Sequence, residues 1–247
     1  MRAALILTLT AALAAGCQYT DPGDITQWPA DKLLAEARDA TAGRAYTRAL
    51  EYLAELEKRF PYNKYGRQAM LEKAYIHHRQ KKPEEARAAA ERFIEQYPAH
   101  PSVDYAYYLK GLSGYDDAGG PIRRLMGRFN LRTVDPGAAR DSHEAFADLL
   151  SRFPHSRYAA DAREKMEQLV NALAWHEIDV ARFYLDRQAY VAAVGRSKTV
   201  LEKYSGTPAA EEALAILVTT YRAMGLPRLS EDARRVLQLN FPQSRHL

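Results

Sequence analysis

The chain has 247 residues, of which 47% are apolar and 27% charged, and its net charge is +4. That is too apolar for disorder. It is also too evenly charged for a nucleic-acid partner, because cations and carboxylates are interspersed and no stripe tracks a phosphate backbone. The one cysteine, Cys17, excludes an intramolecular disulfide, so packing alone must hold the fold.

The N-terminus reads as an address. Arg2 is a short positive start, and Ala3 to Ala15 is an apolar run of 13 residues broken only by Thr8 and Thr10. That length suits a signal peptide and is too short for a membrane-spanning helix. The run ends in Leu13-Ala14-Ala15-Gly16-Cys17, which resembles a lipobox, with its Leu four residues before the Cys instead of three. The resemblance implies cleavage of a signal peptide, residues 1–16, then diacylation of the Cys17 thiol and acylation of the new amino group. Several acyl chains anchor stably where one is marginal. Gln18 stands where lipoproteins kept in the inner membrane often carry Asp, which leans toward the outer membrane. Residues 17–29 form the lipidated Cys and a polar, Pro- and Gly-containing tether.

From residue 30 onward apolar residues recur at helical spacing, and no segment sustains strand alternation. Phe60-Pro61, Tyr97-Pro98, Phe153-Pro154 and Phe241-Pro242 each close an amphipathic run, as does Tyr204 with Pro208 nearby. Proline bars the helical conformation from the residue before it, so each Phe-Pro or Tyr-Pro pair marks a helix end. Eleven residues before Phe60, Tyr97 and Tyr204 lie Ala49, Ala86 and Ala193, and twelve further back lie Ala37, Ala74 and Ala181. Before Phe153 and Phe241 the eleven-residue position holds Ser142 and Ser230. One small residue on each of two helices lets the pair touch closely, and the aromatic plugs its end.

This pattern resembles the tetratricopeptide repeat, a helix–turn–helix unit of about 34 residues, and Tyr184, Tyr221 and Gly225 add to the likeness. The fold class is therefore all-α, an α-solenoid of about five helix pairs: 31–61, 66–98, 102–154, 156–205 and 207–242. Successive closing aromatics stand 37, 56, 51 and 37 residues apart. The 51 exceeds 37 by about four helical turns, which predicts one long helix from about Tyr158 to Arg187. The 56 contains an insertion. The domains expected are N-terminal repeats at 30–114, a connector at 115–135 and C-terminal repeats at 136–247.

Catalytic chemistry finds no foothold, and the chain reads as a non-enzyme. His77-His78 is the only histidine pair, and neighbouring helical residues point too far apart to chelate one ion easily. Gly119-Gly120-Pro121 is a turn signal, not a phosphate loop. No cofactor or metal is expected. The insertion run Ile122-Arg123-Arg124-Leu125-Met126-Gly127-Arg128-Phe129 mixes Arg with apolar anchors, a combination favoured at docking surfaces.

Three further segments are more specific than the repeat. They are His100-Pro101-Ser102-Val103-Asp104-Tyr105-Ala106-Tyr107-Tyr108-Leu109-Lys110-Gly111-Leu112, then Asp135-Pro136-Gly137-Ala138-Ala139-Arg140, then Tyr184 to Arg196. With the anchor and the Phe-Pro punctuation they resemble the BamD family of lipoproteins of the outer-membrane β-barrel assembly machinery, over nearly the full chain. The resemblance implies a lipid-anchored protein on the periplasmic face of the outer membrane, working beside other assembly-complex lipoproteins. Its C-terminal repeats would hold the POTRA region of the barrel subunit BamA. Its N-terminal repeats would receive the C-terminal signal of unfolded barrel proteins. The family Arg that meets an acidic POTRA residue falls on Arg196, and the planar guanidinium fork suits a carboxylate. For the substrate groove, Tyr46, Tyr62, Tyr65 and Tyr75 offer apolar faces with polar tips.

Two departures stand out. Asn130-Leu131-Arg132-Thr133-Val134 replaces a more charged family run, and His77 replaces a Tyr. Rival readings are another periplasmic repeat scaffold, such as an organiser of cell-wall enzymes, a ligand-binding or enzyme domain, and a DNA-uptake factor. The second needs a convergent polar site and the third a basic track, and the sequence offers neither.

Overall fold

A computed structural model describes residues 24–117 and 135–247. The signal peptide, Cys17 and the insertion run 122–129 lie outside the described residues. Ten α-helices and no strand occur within them, joined as five antiparallel pairs. The pairs are α1 (Ala30–Ala42) with α2 (Tyr46–Arg59), α3 (Lys64–Arg79) with α4 (Pro83–Gln96), and α5 (Val103–Asp117) with α6 (Pro136–Arg152). Then come α7 (Ala159–Asp186) with α8 (Tyr190–Lys203) and α9 (Ala209–Ala223) with α10 (Pro227–Asn240).

The start and stop signals act as their chemistry requires. Asn63 caps α3 by accepting from the N–H groups of Tyr65 and Gly66, and Asp135 caps α6 by accepting from that of Gly137. Pro83, Pro136 and Pro227 open α4, α6 and α10, where a missing N–H costs nothing. The second helix of every pair ends on its aromatic. Phe60, Tyr97, Phe153, Tyr204 and Phe241 all leave the helix at φ between −131° and −134°. Their N–H groups donate to the carbonyls of Leu56, Phe93, Leu149, Val200 and Leu237, so the last helical bond forms before the chain departs.

The turns inside four pairs are equally regular. Arg44, Lys81, Gln188 and Gly225 adopt left-handed φ values of 59°, 60°, 58° and 71°. Each stands five residues before the small residue of its second helix. The following N–H groups, of Ala45, Lys82, Ala189 and Leu226, reach back to the carbonyls of Ala40, His77, Tyr184 and Tyr221, which satisfies ends the helix leaves open.

The small-residue pairs lie at the seams. Ala37, Ala49, Ala74, Ala86, Ala181 and Ala193 are all fully buried. Where Ser replaces Ala, its hydroxyl finds a partner across the seam. Ser142 Oγ donates to Gly111 O at 2.6 Å and Ser230 Oγ to Val218 O at 2.9 Å. The third pair is closely packed. A Cβ on Gly111 would stand 2.4 Å from the Phe146 ring, and one on Gly114 would stand 2.6 Å from the Ala138 carbonyl.

The long helix appears where the spacing predicts it. Its 28 residues, about 42 Å long, connect two cores. Ala162, Leu169 and Leu173 pack with Phe93, Phe146 and Leu149 in the centre of the solenoid. Ala174, Ile178 and Ala181 pack with Val200, Ala209 and Ala213 in the C-terminal half. The buried Phe93 and Phe146 rings each contribute roughly 1.5–3 kcal/mol.

Candidate partner-binding and substrate-binding sites

Arg196 lies on α8, facing the long helix. Its Nη1 donates to Oε2 of Glu177 on α7 at 3.0 Å. The Arg196 side chain is 45% exposed and that of Glu177 only 7%. A buried carboxylate is costly unless paired, so Glu177 holds one edge of the guanidinium and fixes its direction. Toward the α7–α8 turn, Phe183 and Val191 are exposed although apolar, and the Arg187 guanidinium covers the Phe183 ring at 3.7 Å. This helix pair thus carries a positioned Arg midway along α8 and uncovered apolar side chains nearer its turn. Glu177 escaped the sequence reading because a mid-helix Glu looks like a solvated charge. Only its place on the buried side of α7 betrays it.

The four groove tyrosines do not form one cluster. Tyr46 and Tyr75 meet around Arg79, whose Nη1 donates to the Tyr75 hydroxyl at 2.7 Å. The hydrogen bond and charge of Tyr75, then those of Tyr46, hold the Arg79 guanidinium above its ordinary pKa. Tyr62 and Tyr65 sit at the opposite end of α3. Ten residues of helix, about 15 Å, separate Tyr65 from Tyr75. Tyr65 packs half-buried on the first core, while Tyr62 is 87% exposed. Arg79 was not foreseen, since nothing in the sequence says which charge lands between two rings.

Beyond Tyr75, α5 and the residue that precedes α7 carry more rings. Tyr158 stacks on both Tyr105 and Tyr108, with centroids 5.2 and 4.6 Å apart. Tyr108 donates its hydroxyl proton to Asp161 at 2.5 Å. Burial first, then the Asp161 bond, pushes the Tyr108 hydroxyl well above its usual range, and burial does the same to Tyr105. Both hydroxyls remain protonated at physiological pH.

His77 is half-buried, and its Nδ1 has no hydrogen-bond partner among the described residues. Burial lowers its pKa. No group of three metal-binding side chains occurs among the described residues, and none of the described helices is long and apolar enough to cross a membrane.

Comparison with known proteins decides the family. Residues 26–237 match the family model described as YfiO, outer membrane lipoprotein. The outer membrane protein assembly factor BamD of Neisseria meningitidis serogroup A is 41% identical over 238 residues, covering 96% of this chain and 89% of that protein. BamD of Xylella fastidiosa strain Temecula1 is 34% identical, covering 96% and 81%. BamD of Vibrio cholerae is 31% identical, covering 94% and 95%. The chain belongs to the BamD family. Its role is accordingly that of an outer-membrane protein assembly factor, associated with the outer membrane.

Proposed function

We propose that this chain is the scaffold and substrate-receiving subunit of the outer-membrane β-barrel assembly complex, lipid-anchored through Cys17 and facing the periplasm. It binds the POTRA region of BamA through the C-terminal repeats and unfolded barrel proteins through the N-terminal repeats. The observation that carries this reading is the Arg196–Glu177 pair. A buried glutamate holds a half-exposed guanidinium midway along α8, on a helix pair that also leaves Phe183 and Val191 uncovered nearer its turn. An acidic residue on the partner would meet the other edge of that fork, with apolar contacts toward the turn.

Titration of a soluble POTRA fragment tests it. Arg196→Ala should weaken binding at least tenfold, about 1.4 kcal/mol, and Arg196→Lys should restore only part of that. Glu177→Gln keeps a hydrogen-bond acceptor for Arg196 and should bind nearly as the wild type does. Equal affinity for Arg196→Ala and wild type would remove Arg196 from the interface.

At the other half, Tyr46 and Tyr75 around Arg79 offer two ring faces and a cation to a chain ending in an aromatic residue and a carboxylate. This pair supports the substrate reading better than Tyr62 and Tyr65, which face a different end of the solenoid.

A further inference from the structure

We propose that the end of the solenoid around Tyr62 lies against the anionic phospholipid surface to which the chain is anchored, and so sets the orientation of the scaffold. The inference rests on the reading of Cys17 as the lipidated residue.

The route of the chain carries the argument. Cys17 is seven residues from Asp24, where the described fold begins, and seven residues span at most about 25 Å. Residues 25–27 form a short 3₁₀ turn capped by Asp24. The next residue, Trp28, is fixed: Arg59 Nη1 donates to its carbonyl at 2.7 Å, and its ring lies 5.6 Å from that of Tyr52. The tether therefore leaves the fold at the α2–α3 end.

The chemistry of that end fits the surface it would meet. The segment Lys58-Arg59-Phe60-Pro61-Tyr62-Asn63-Lys64-Tyr65-Gly66-Arg67 has four cations and no carboxylate. Glu55 stands 3.9 Å from both Lys58 and Arg59, and Asp24 and Asp31 lie nearby, so the excess is carried by the outermost groups. Lys58 is 76% exposed, Lys64 is exposed, and Tyr62 is more exposed than any other large apolar side chain described. Lys64 lies over the Tyr65 ring at 5.0 Å and Lys32 over the Trp28 ring at 3.8 Å. Exposed Tyr with flanking lysines suits the headgroup layer, where a ring wants one apolar and one wet side and an ammonium meets lipid phosphate.

The test uses the lipidated full-length mature protein in vesicles. With the Cys17 thiol acylated, the chain's only cysteine is blocked, so Tyr62→Cys and Arg228→Cys each give one site for a nitroxide label. Arg228 is exposed at the start of α10, in the last repeat. In vesicles of phosphatidylethanolamine and phosphatidylglycerol, the label at 62 should collide several-fold more with lipid-dissolved oxygen, relative to a water-soluble nickel chelate, than the label at 228. Purely zwitterionic vesicles, or the added Lys58→Glu and Lys64→Glu changes, should abolish that difference. Equal, water-like accessibility at both sites on vesicle-bound protein would overturn the proposal. So would shielding at 62 that appears only when a barrel C-terminal peptide is added, which would return Tyr62 to substrate binding. Failure of the protein to float with vesicles is a different result, because it removes the Cys17 anchor itself.

Discussion

Gly114→Ala and Gly195→Ala make the same chemical change in two helix interiors and should move stability in opposite directions. Removing a glycine from a helix interior gains about 1 kcal/mol by propensity alone. At Gly195 nothing lies within 4 Å of the added methyl, so that gain should appear in full. At Gly114 the methyl meets the Ala138 carbonyl oxygen at 2.6 Å and Ser142 Cβ at 3.0 Å. A backbone carbonyl cannot rotate away, so α5 and α6 must separate. That movement stretches the Ser142–Gly111 bond and loosens the packing around Phe146. Overpacking of this kind costs up to about 3 kcal/mol, leaving a net loss of about 2 kcal/mol once propensity is subtracted. For a chain of this size each kcal/mol moves Tm by about 2–4 °C. Thermal unfolding should therefore show Gly114→Ala lower by roughly 4–8 °C and Gly195→Ala higher by roughly 2–4 °C. Hydrogen exchange should place the weakening in α5 and α6. A Gly114→Ala protein melting at or above wild type would refute the close seam.

Gly225→Ala puts a Cβ on a residue at φ 71°, which should cost about 1–2 kcal/mol in thermal or urea unfolding, while Gly206→Ala, with nothing within 4 Å and no positive φ, should not. The depressed His77 pKa carries a pH signature. The unfolded chain takes up a proton first as pH falls through the ordinary histidine value of 6.5, so stability is fully present above that pH and is lost progressively below it, toward the folded value. Urea midpoints measured from neutral to pH 5 should fall less for His77→Tyr than for wild type, and equal falls would show that this ring is not a source of the acid sensitivity. Tyr46→Ala with Tyr75→Ala should weaken binding of a barrel C-terminal peptide about tenfold, and unchanged affinity by titration would move the substrate site elsewhere.

Much of the architecture is written in punctuation. The closing aromatics and their prolines mark the helix ends because proline constrains its neighbour wherever it occurs. The excess of four turns between Phe153 and Tyr204 reveals the long α7 because a packed face must stay in phase. The left-handed turn residues were legible only at Gly225. Arg44, Lys81 and Gln188 hold the same place, five residues before the small residue, but their side chains disguise it. The sites were less legible. Four tyrosines near one another in sequence proved to face two ends of α3, since helix length separates what sequence adjacency joins. Glu177 and Arg79 were invisible, because a charge declares its partner only once the opposite helix is in place.

A subunit held in a barrel assembly complex through its C-terminal repeats should carry its partner with it. Co-purification of the tagged, lipidated protein from detergent-solubilised membranes, with mass spectrometry of what comes with it, tests this. A POTRA-bearing barrel protein should be recovered in near-equal amount with wild type and lost with Arg196→Glu. Recovery of cell-wall enzymes in its place, or of no partner, would contradict the proposed role.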